Sequence, residues 1–134
     1  MKLALHIGTA KTGTTTLQGW FSSNRAGLGD QGVWYPTTPG AENHRRLMTY
    51  ARDTTKPDSS FVKFGIKTEA DHEAFRHQLA HDLADEVESS AARGHKTWLM
   101  SSEHLHSKIT TAAMIGRLHS LLSPLFDQIG RAHV

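Results

Sequence analysis

The chain contains no cysteine. That absence excludes a disulfide scaffold, a thiolate zinc site, an iron–sulfur cluster and a cysteine nucleophile. Long hydrophobic runs are missing too, with nothing near the roughly 20 apolar residues that a membrane-spanning helix needs. No signal-peptide pattern opens the sequence: Met1-Lys2 leads at once into Leu3-Ala4-Leu5-His6-Ile7, then Gly8. Nor does one charge sign dominate, since 15 Lys and Arg against 13 Asp and Glu leave a formal net charge of +2. The basic residues are scattered rather than clustered, which argues against nucleic-acid binding and suits a small anionic partner. These absences read as a soluble, cytoplasmic protein with neither a membrane nor a nucleic-acid partner. With 134 residues, 37% of them hydrophobic, the chain can bury one core, and a second domain is not expected.

The apolar pattern predicts alternating strands and helices. Lys2–Ile7 reads as a short buried strand, and Thr14 to Asn24 as a helix presenting Leu17, Trp20 and Phe21. Arg25–Gly32, with three glycines, reads as a connection; Val33-Trp34-Tyr35 reads as a second strand closed by Pro36. Glu42 to Arg52 is expected to be a helix and Asp53–Ser60 a loop. From Glu69 to Arg93, Phe75, Leu79, Leu83 and Val87 step by four, with Ala80, Ala84 and Ala91 beside them. Thr68 and Asp71 there resemble a capping box, and Gly94 suits the position just past the end. Thr97–Met100 reads as a third strand and Thr111–Leu122 as a last helix. Trp20 and Trp98 are expected in the core, and Trp34 either in the core or against a purine. The alternation implies an α/β fold with a parallel sheet.

Between the first strand and the first helix lies Gly8-Thr9-Ala10-Lys11-Thr12-Gly13-Thr14-Thr15-Thr16. Glycines let backbone approach a ligand closely, and loop amides at a helix N-terminus attract anions. Threonine hydroxyls add donors, so the segment reads as a phosphate cradle; the plainer reading is a tight turn with threonine capping. It departs from the Walker A pattern, which places Lys directly after the second glycine and a magnesium-binding Ser or Thr next. Here Thr14 holds the Lys position and Lys11 lies inside the loop.

Lys11-Thr12-Gly13-Thr14-Thr15 resembles the 5′-phosphosulfate loop of sulfotransferases that use 3′-phosphoadenosine-5′-phosphosulfate (PAPS), written P-K-S/T-G-T-T. The wider string, from Thr16-Leu17-Gln18 through Asn24, Leu28, Gly32 and Tyr35-Pro36 to Ser101-Ser102-Glu103, is similar to bacterial members; Ala10 replaces the usual proline. The resemblance implies a P-loop-type three-layer α/β/α domain with a parallel sheet. It implies transfer of a sulfuryl group from PAPS to a hydroxyl or amine. Lys11 would bind the phosphosulfate and stabilise the leaving phosphate, while Thr12, Gly13, Thr14, Thr15 and Thr16 would hold the 5′-phosphate. No metal is needed in that scheme.

Two residues are candidates for the base that takes the acceptor's proton. Glu103 follows the third strand at the edge where open α/β sheets bind ligands. His44 follows the Tyr35-Pro36 turn, where related enzymes often carry His. Their plainer readings are a helix N-terminal carboxylate and a surface helix residue. His77, His81 and Asp85 have helical metal-ligand spacing but read as a solvated face. His104 and His106 read as polar loop residues. The rival functions are a P-loop phosphotransferase using Mg-ATP and a non-catalytic nucleotide-binding module. Against the phosphotransferase stand the shifted lysine and the lack of an Asp ending the third strand.

The resemblance also requires an Arg, and a later Ser, that bind the 3′-phosphate; nothing after Glu103 matches. Ile129-Gly130-Arg131-Ala132-His133-Val134 is what ATC GGA AGA GCA CAC GTC encodes, with TGA then stopping the chain. That string resembles a common short-read sequencing adapter read in frame. Residues 1–128 are therefore expected to be the N-terminal part of one sulfotransferase-like P-loop domain, incomplete at the C-terminus and inactive alone, and 129–134 a non-native tail.

Overall fold

A computed structural model describes residues 1–8 and 14–131. In chain order the elements are β1 (Lys2–His6), α1 (Thr14–Ser23), α2 (Arg25–Asp30), β2 (Val33–Trp34), α3 (Arg46–Ala51), α4 (Ser59–Lys63), α5 (Glu69–Ala92), β3 (Thr97–Ser101), α6 (His104–Lys108), α7 (Ala112–Leu122) and β4 (Gln128–Arg131). The four strands form one sheet in the order β2-β3-β1-β4. All three pairings are parallel, with Leu3 opposite Trp98 and Trp34 beside Trp98 in the next pair. The fold is thus α/β with an all-parallel sheet, as the alternation predicts.

Strand order decides where a ligand could sit. The chain leaves β1 toward β2 on one side, returns to β3, and then crosses β1 to reach β4 on the other. Right-handed crossovers running in opposite senses lie over opposite faces of the sheet. Helix contacts follow that division: α1 touches α2, whereas α3 touches α5, α6 and α7. Because the connections after β1 and β3 diverge, the topological switch point, where open α/β sheets bind ligands, falls between the carboxyl ends of these two neighbours.

The core joins β1 and β3 to the larger helix group. Leu3, Trp98 and Met100 pack with Leu47 and Met48 of α3, Leu79 and Leu83 of α5, and Leu121 and Leu122 of α7. The long helix starts where expected, because Thr68 Oγ1 accepts from the Asp71 amide and Asp71 Oδ2 accepts from the Thr68 amide, both at 3.1 Å. Its stripe faces the core through Leu79, Leu83, Phe75 and Val87, whereas Ala84 and Ala91 are exposed.

Several elements differ from the sequence expectation. Arg25–Asp30 is a helix rather than a connection. Gly29 serves close packing there, since a Cβ would lie 3.2 Å from His95 Nε2 and 3.7 Å from the Trp34 ring. The helix expected from Glu42 begins only at Arg46, because Asn43 and His44 are drawn to the end of β3 by hydrogen bonds that a helical backbone could not reach. Two short helices, α4 and α6, were not anticipated; Asp58 caps α4 by accepting from the Ser60 amide. Trp20 is 53% exposed, its ring resting edge-on against Phe21 on the outer side of α1, while Trp98 is fully buried. Gln128–Arg131 forms an edge strand paired with β1, so the boundary drawn at residue 128 falls within a strand. Its single apolar residue, Ile129, gives no alternation by which to recognise it.

Candidate functional site

The carboxyl ends of β1 and β3 carry a buried polar cluster. His6, the last residue of β1, and Ser101, the last of β3, sit opposite each other in register. Their side chains meet, with 2.8 Å between His6 Nδ1 and Ser101 Oγ. Gln18 lies one helical turn beyond Thr14, on the face of α1 turned to the sheet, and is buried. Its amide donates to Ser101 Oγ at 3.1 Å and to Glu103 Oε2 at 2.9 Å. The other carboxylate oxygen, Oε1, accepts from Asn43 Nδ2 at 3.2 Å. Glu103 is therefore held from two sides, by α1 and by the loop before α3.

Electrostatics favour the ionised form of Glu103. Burial alone would raise its pKa. The hydrogen bond from Gln18, its own backbone amide, and the nearby His104 and Arg45 outweigh that and hold the carboxyl below the usual range. Arg45 Nη2 lies 3.0 Å from His104 Nε2, where the guanidinium can only donate. His104 is thus an acceptor there, and its pKa is lowered, first by burial. Burial also lowers the pKa of His6, against the attraction of Glu103.

His44 is placed differently from Glu103. Nothing of it is exposed. The Ser101 amide donates to Nδ1 at 3.0 Å, which puts the ring proton on Nε2, and Nε2 donates to the Pro36 carbonyl at 2.9 Å. The His44 amide in turn donates to the Ser101 carbonyl at 2.9 Å. Burial, the largest cause, pushes its pKa down to about 3. With both ring nitrogens engaged, His44 fastens the turn after β2 to the end of β3. Arg25 secures the same turn by donating to the carbonyls of Tyr35 at 2.6 Å and Ala41 at 2.7 Å. Tyr35 is buried against His44, ring centroids 4.3 Å apart, and donates its hydroxyl to the Glu42 carbonyl.

Two buried polar atoms at this edge have no hydrogen-bond partner among the described residues: Ser102 Oγ and Asn43 Oδ1. Leaving a buried polar atom unpaired costs roughly 1–3 kcal/mol, so such atoms call for an explanation. Ser102 follows directly on β3, and its amide donates to the His6 carbonyl at 3.0 Å, which extends the β1–β3 ladder by one bond.

The structure brings Glu103 and His44 to one edge, through Ser101 and Asn43. Thr14, Thr15 and Thr16 form the first turn of α1, with Thr15 and Thr16 exposed. Lys11, Thr12 and Gly13 lie outside the described residues. Gln18, Asn43, His6 and Arg45 carried no role in the sequence reading. The sequence held one signal for Gln18, a polar residue between Leu17 and Trp20 at a helix position facing the sheet.

The other histidines lie elsewhere. His77 and His81 are exposed, and His81 Nδ1 stands 3.4 Å from Asp85 Oδ2 on the outer face of α5. Among the described residues no group of three His, Asp or Glu side chains gathers as metal ligands would, and no helix is long and apolar enough to cross a membrane. Trp34 stacks on His95 (4.9 Å, 6°) at the amino end of the sheet, with the Arg93 guanidinium over its ring at 4.7 Å and its indole donating to Glu86 at 2.7 Å. It is therefore remote from the carboxyl edge. Compared with family models, with curated proteins and with solved structures, the chain matches none.

Proposed function

We propose that the protein transfers a sulfuryl group from PAPS to a hydroxyl-bearing or amine acceptor, with the donor's phosphosulfate at the β1–α1 junction. One observation carries this reading: the string Lys11-Thr12-Gly13-Thr14-Thr15 joins β1 to α1, and β1 lies at the switch point of a parallel sheet. Amides at the start of α1 offer donors to an anion on the same edge. The Ser102 hydroxyl, buried and without a hydrogen-bond partner among the described residues, fits a ligand arriving there, which supports the assignment of the 5′ end. Bound there, PAPS would supply the sulfuryl group: a bond from sulfur to the acceptor oxygen or nitrogen would form as the bridging bond to the 5′-phosphate oxygen broke, with the electron pair leaving on that phosphate.

The chain's own residues have separate tasks. Lys11 and the first turn of α1 hold the phosphate end and counter the charge that grows on it. Glu103, already ionised, takes the acceptor's proton. Gln18 and Asn43 fix its two oxygens, so one rotamer is presented at the switch point. His44 positions that arrangement and does not exchange a proton at neutral pH, because its lone pair is spent on the Ser101 amide.

Calorimetric titration with 3′-phosphoadenosine-5′-phosphate and with ATP, each with and without Mg²⁺, tests the reading. Metal-independent preference for the former is expected, and Lys11→Ala should weaken it by about 1.5–3 kcal/mol, the worth of a charge-assisted contact. Mg²⁺-dependent preference for ATP would replace it with a phosphotransferase. In a longer chain that carries the complete donor site, Glu103→Gln should lower the transfer rate by about 10²-fold or more with nucleotide affinity unchanged, whereas a change in affinity alone would reassign Glu103 to binding.

A further inference from the structure

A cavity of about 630 Å³ lies between the loop after β2 and α4, one side chain, Asn43, removed from Glu103. Its size is that of a small-molecule site. Asn43, Arg45, Arg46, Lys63 and Phe64 contribute to its wall, together with Glu42. Three cations thus face one carboxylate. None of the three has a carboxylate within 4.0 Å among the described residues. Arg45 is spent on His104, a neutral acceptor, and Arg46 donates to the Thr38 carbonyl at 3.2 Å. Arg46 and Lys63 both lie over the Phe64 ring, at 5.0 and 5.8 Å from its centroid, which gathers their charge at one end of the cavity.

Asn43 connects this cavity to the chemistry. It lines the wall and donates to Glu103 Oε1, while Gln18 holds Oε2 from the α1 side. The carboxylate therefore stands between the phosphate-binding junction and the cationic cavity. We propose that the cavity holds the acceptor, and that the acceptor is an anionic hydroxyl compound of about monosaccharide size, such as a sugar acid. Its acid group meets Arg46 and Lys63, and a hydroxyl is turned toward Glu103. This assignment rests on the sulfuryl-transfer reading for its role, though the cavity's preference for an anion is a separate measurement.

NMR chemical-shift titration of the whole chain with D-glucuronate and with D-glucose tests it, with 3′-phosphoadenosine-5′-phosphate titrated in parallel. Glucuronate should shift the amides of Asn43, Lys63 and Phe64 saturably and bind at least about tenfold more tightly than glucose, a charge-assisted contact being worth that factor. Arg46→Gln with Lys63→Gln should remove the preference; both side chains are exposed, so the fold is expected to tolerate the change. The amides of Trp34 and His95, which line a different cavity, should stay still. Equal affinity for the two sugars, no binding of either, or a preference that survives the double substitution overturns the proposal. If the nucleotide binds and glucuronate does not, the acceptor assignment fails alone. If glucuronate binds and the nucleotide does not, the cavity's anion preference stands and the sulfuryl-transfer reading fails.

Discussion

The two ends of the sheet each hold a buried cluster of histidine, serine and aromatic rings, but only one of them is complete. At the amino end, Ser90 Oγ accepts from the Trp98 indole at 3.0 Å and meets His95 Nδ1 at 2.8 Å, while His95 stacks on Trp34. Among the described residues every polar side-chain atom buried there has a partner. At the carboxyl end, Ser102 Oγ and Asn43 Oδ1 do not. A closed polar network rigidifies a core, whereas unused atoms leave hydrogen-bonding capacity for water or a ligand. Burial alone does not separate the two clusters; hydrogen-bond accounting does. The carboxyl cluster also coincides with the switch point, which topology identifies independently.

The strongest way to break this comparison acts on backbone. Gly40 has φ of +147°, and a Cβ there would lie 2.1 Å from the Asn43 carbonyl oxygen. Gly40→Ala must displace the loop that carries Asn43 and His44, and should cost about 3 kcal/mol or more, read as the urea midpoint. Gly29→Ala, at the amino end, brings a Cβ to 3.2 Å from His95 Nε2, a contact that a shift of a few tenths of an ångström relieves. It should cost roughly 1 kcal/mol or less. Equal losses would mean that the loop before α3 is no more tightly determined than α2.

A second test uses pH. In the folded chain His44 has a pKa of about 3, against an ordinary 6.5. Below pH 6.5 the unfolded chain takes up a proton that the folded chain refuses. Stability from this residue is therefore fully present above that pH and is lost as pH falls toward about 3. His44→Gln keeps an acceptor for the Ser101 amide and a donor for the Pro36 carbonyl without titrating. It should flatten the fall of the urea midpoint across that window. His6, His72, His95 and His104 are shifted in the same direction and will leave a residual slope. An unaltered slope in His44→Gln would show that His44 is not the buried neutral clamp described above.

How far the sequence foretold these features depends on the range of the interaction. The long helix was legible because its stripe and its capping box are local patterns, completed within four residues. So were β1, β3 and the start of α1. The glycines of α2 misled because glycine signals a turn and a close approach alike, and only the three-dimensional neighbours His95 and Trp34 distinguish them. Trp20 misled because one apolar face of a helix does not say which of its residues meets the sheet. In the site, Glu103 was legible from its place at a strand end. Its grip was not, since Gln18 is 85 residues away and Asn43 60. His44 was legible as a residue of interest, but its role depends on burial and on two long-range hydrogen bonds, which no spacing encodes.

The sharpest contrast pairs one serine from each cluster. Ser90→Ala removes the acceptor that the Trp98 indole uses among the described residues and the partner of His95 Nδ1. It should destabilise the fold by roughly 1–3 kcal/mol, the cost of orphaning a buried donor. Ser102→Ala removes a hydroxyl that makes no hydrogen bond to a described residue, so folded stability should change by less than about 0.5 kcal/mol, or rise slightly as an unpaired polar atom is lost. Its cost should appear instead in ligand affinity, as a several-fold weaker binding of 3′-phosphoadenosine-5′-phosphate in the calorimetric titration. The two variants thus exchange rank between assays: Ser90→Ala is the worse in urea and Ser102→Ala the worse in binding. If Ser102→Ala destabilises as much as Ser90→Ala and leaves nucleotide affinity untouched, the carboxyl cluster is as closed as the amino one. The reason for placing a ligand at that edge would then reduce to topology and the string Lys11-Thr12-Gly13-Thr14-Thr15.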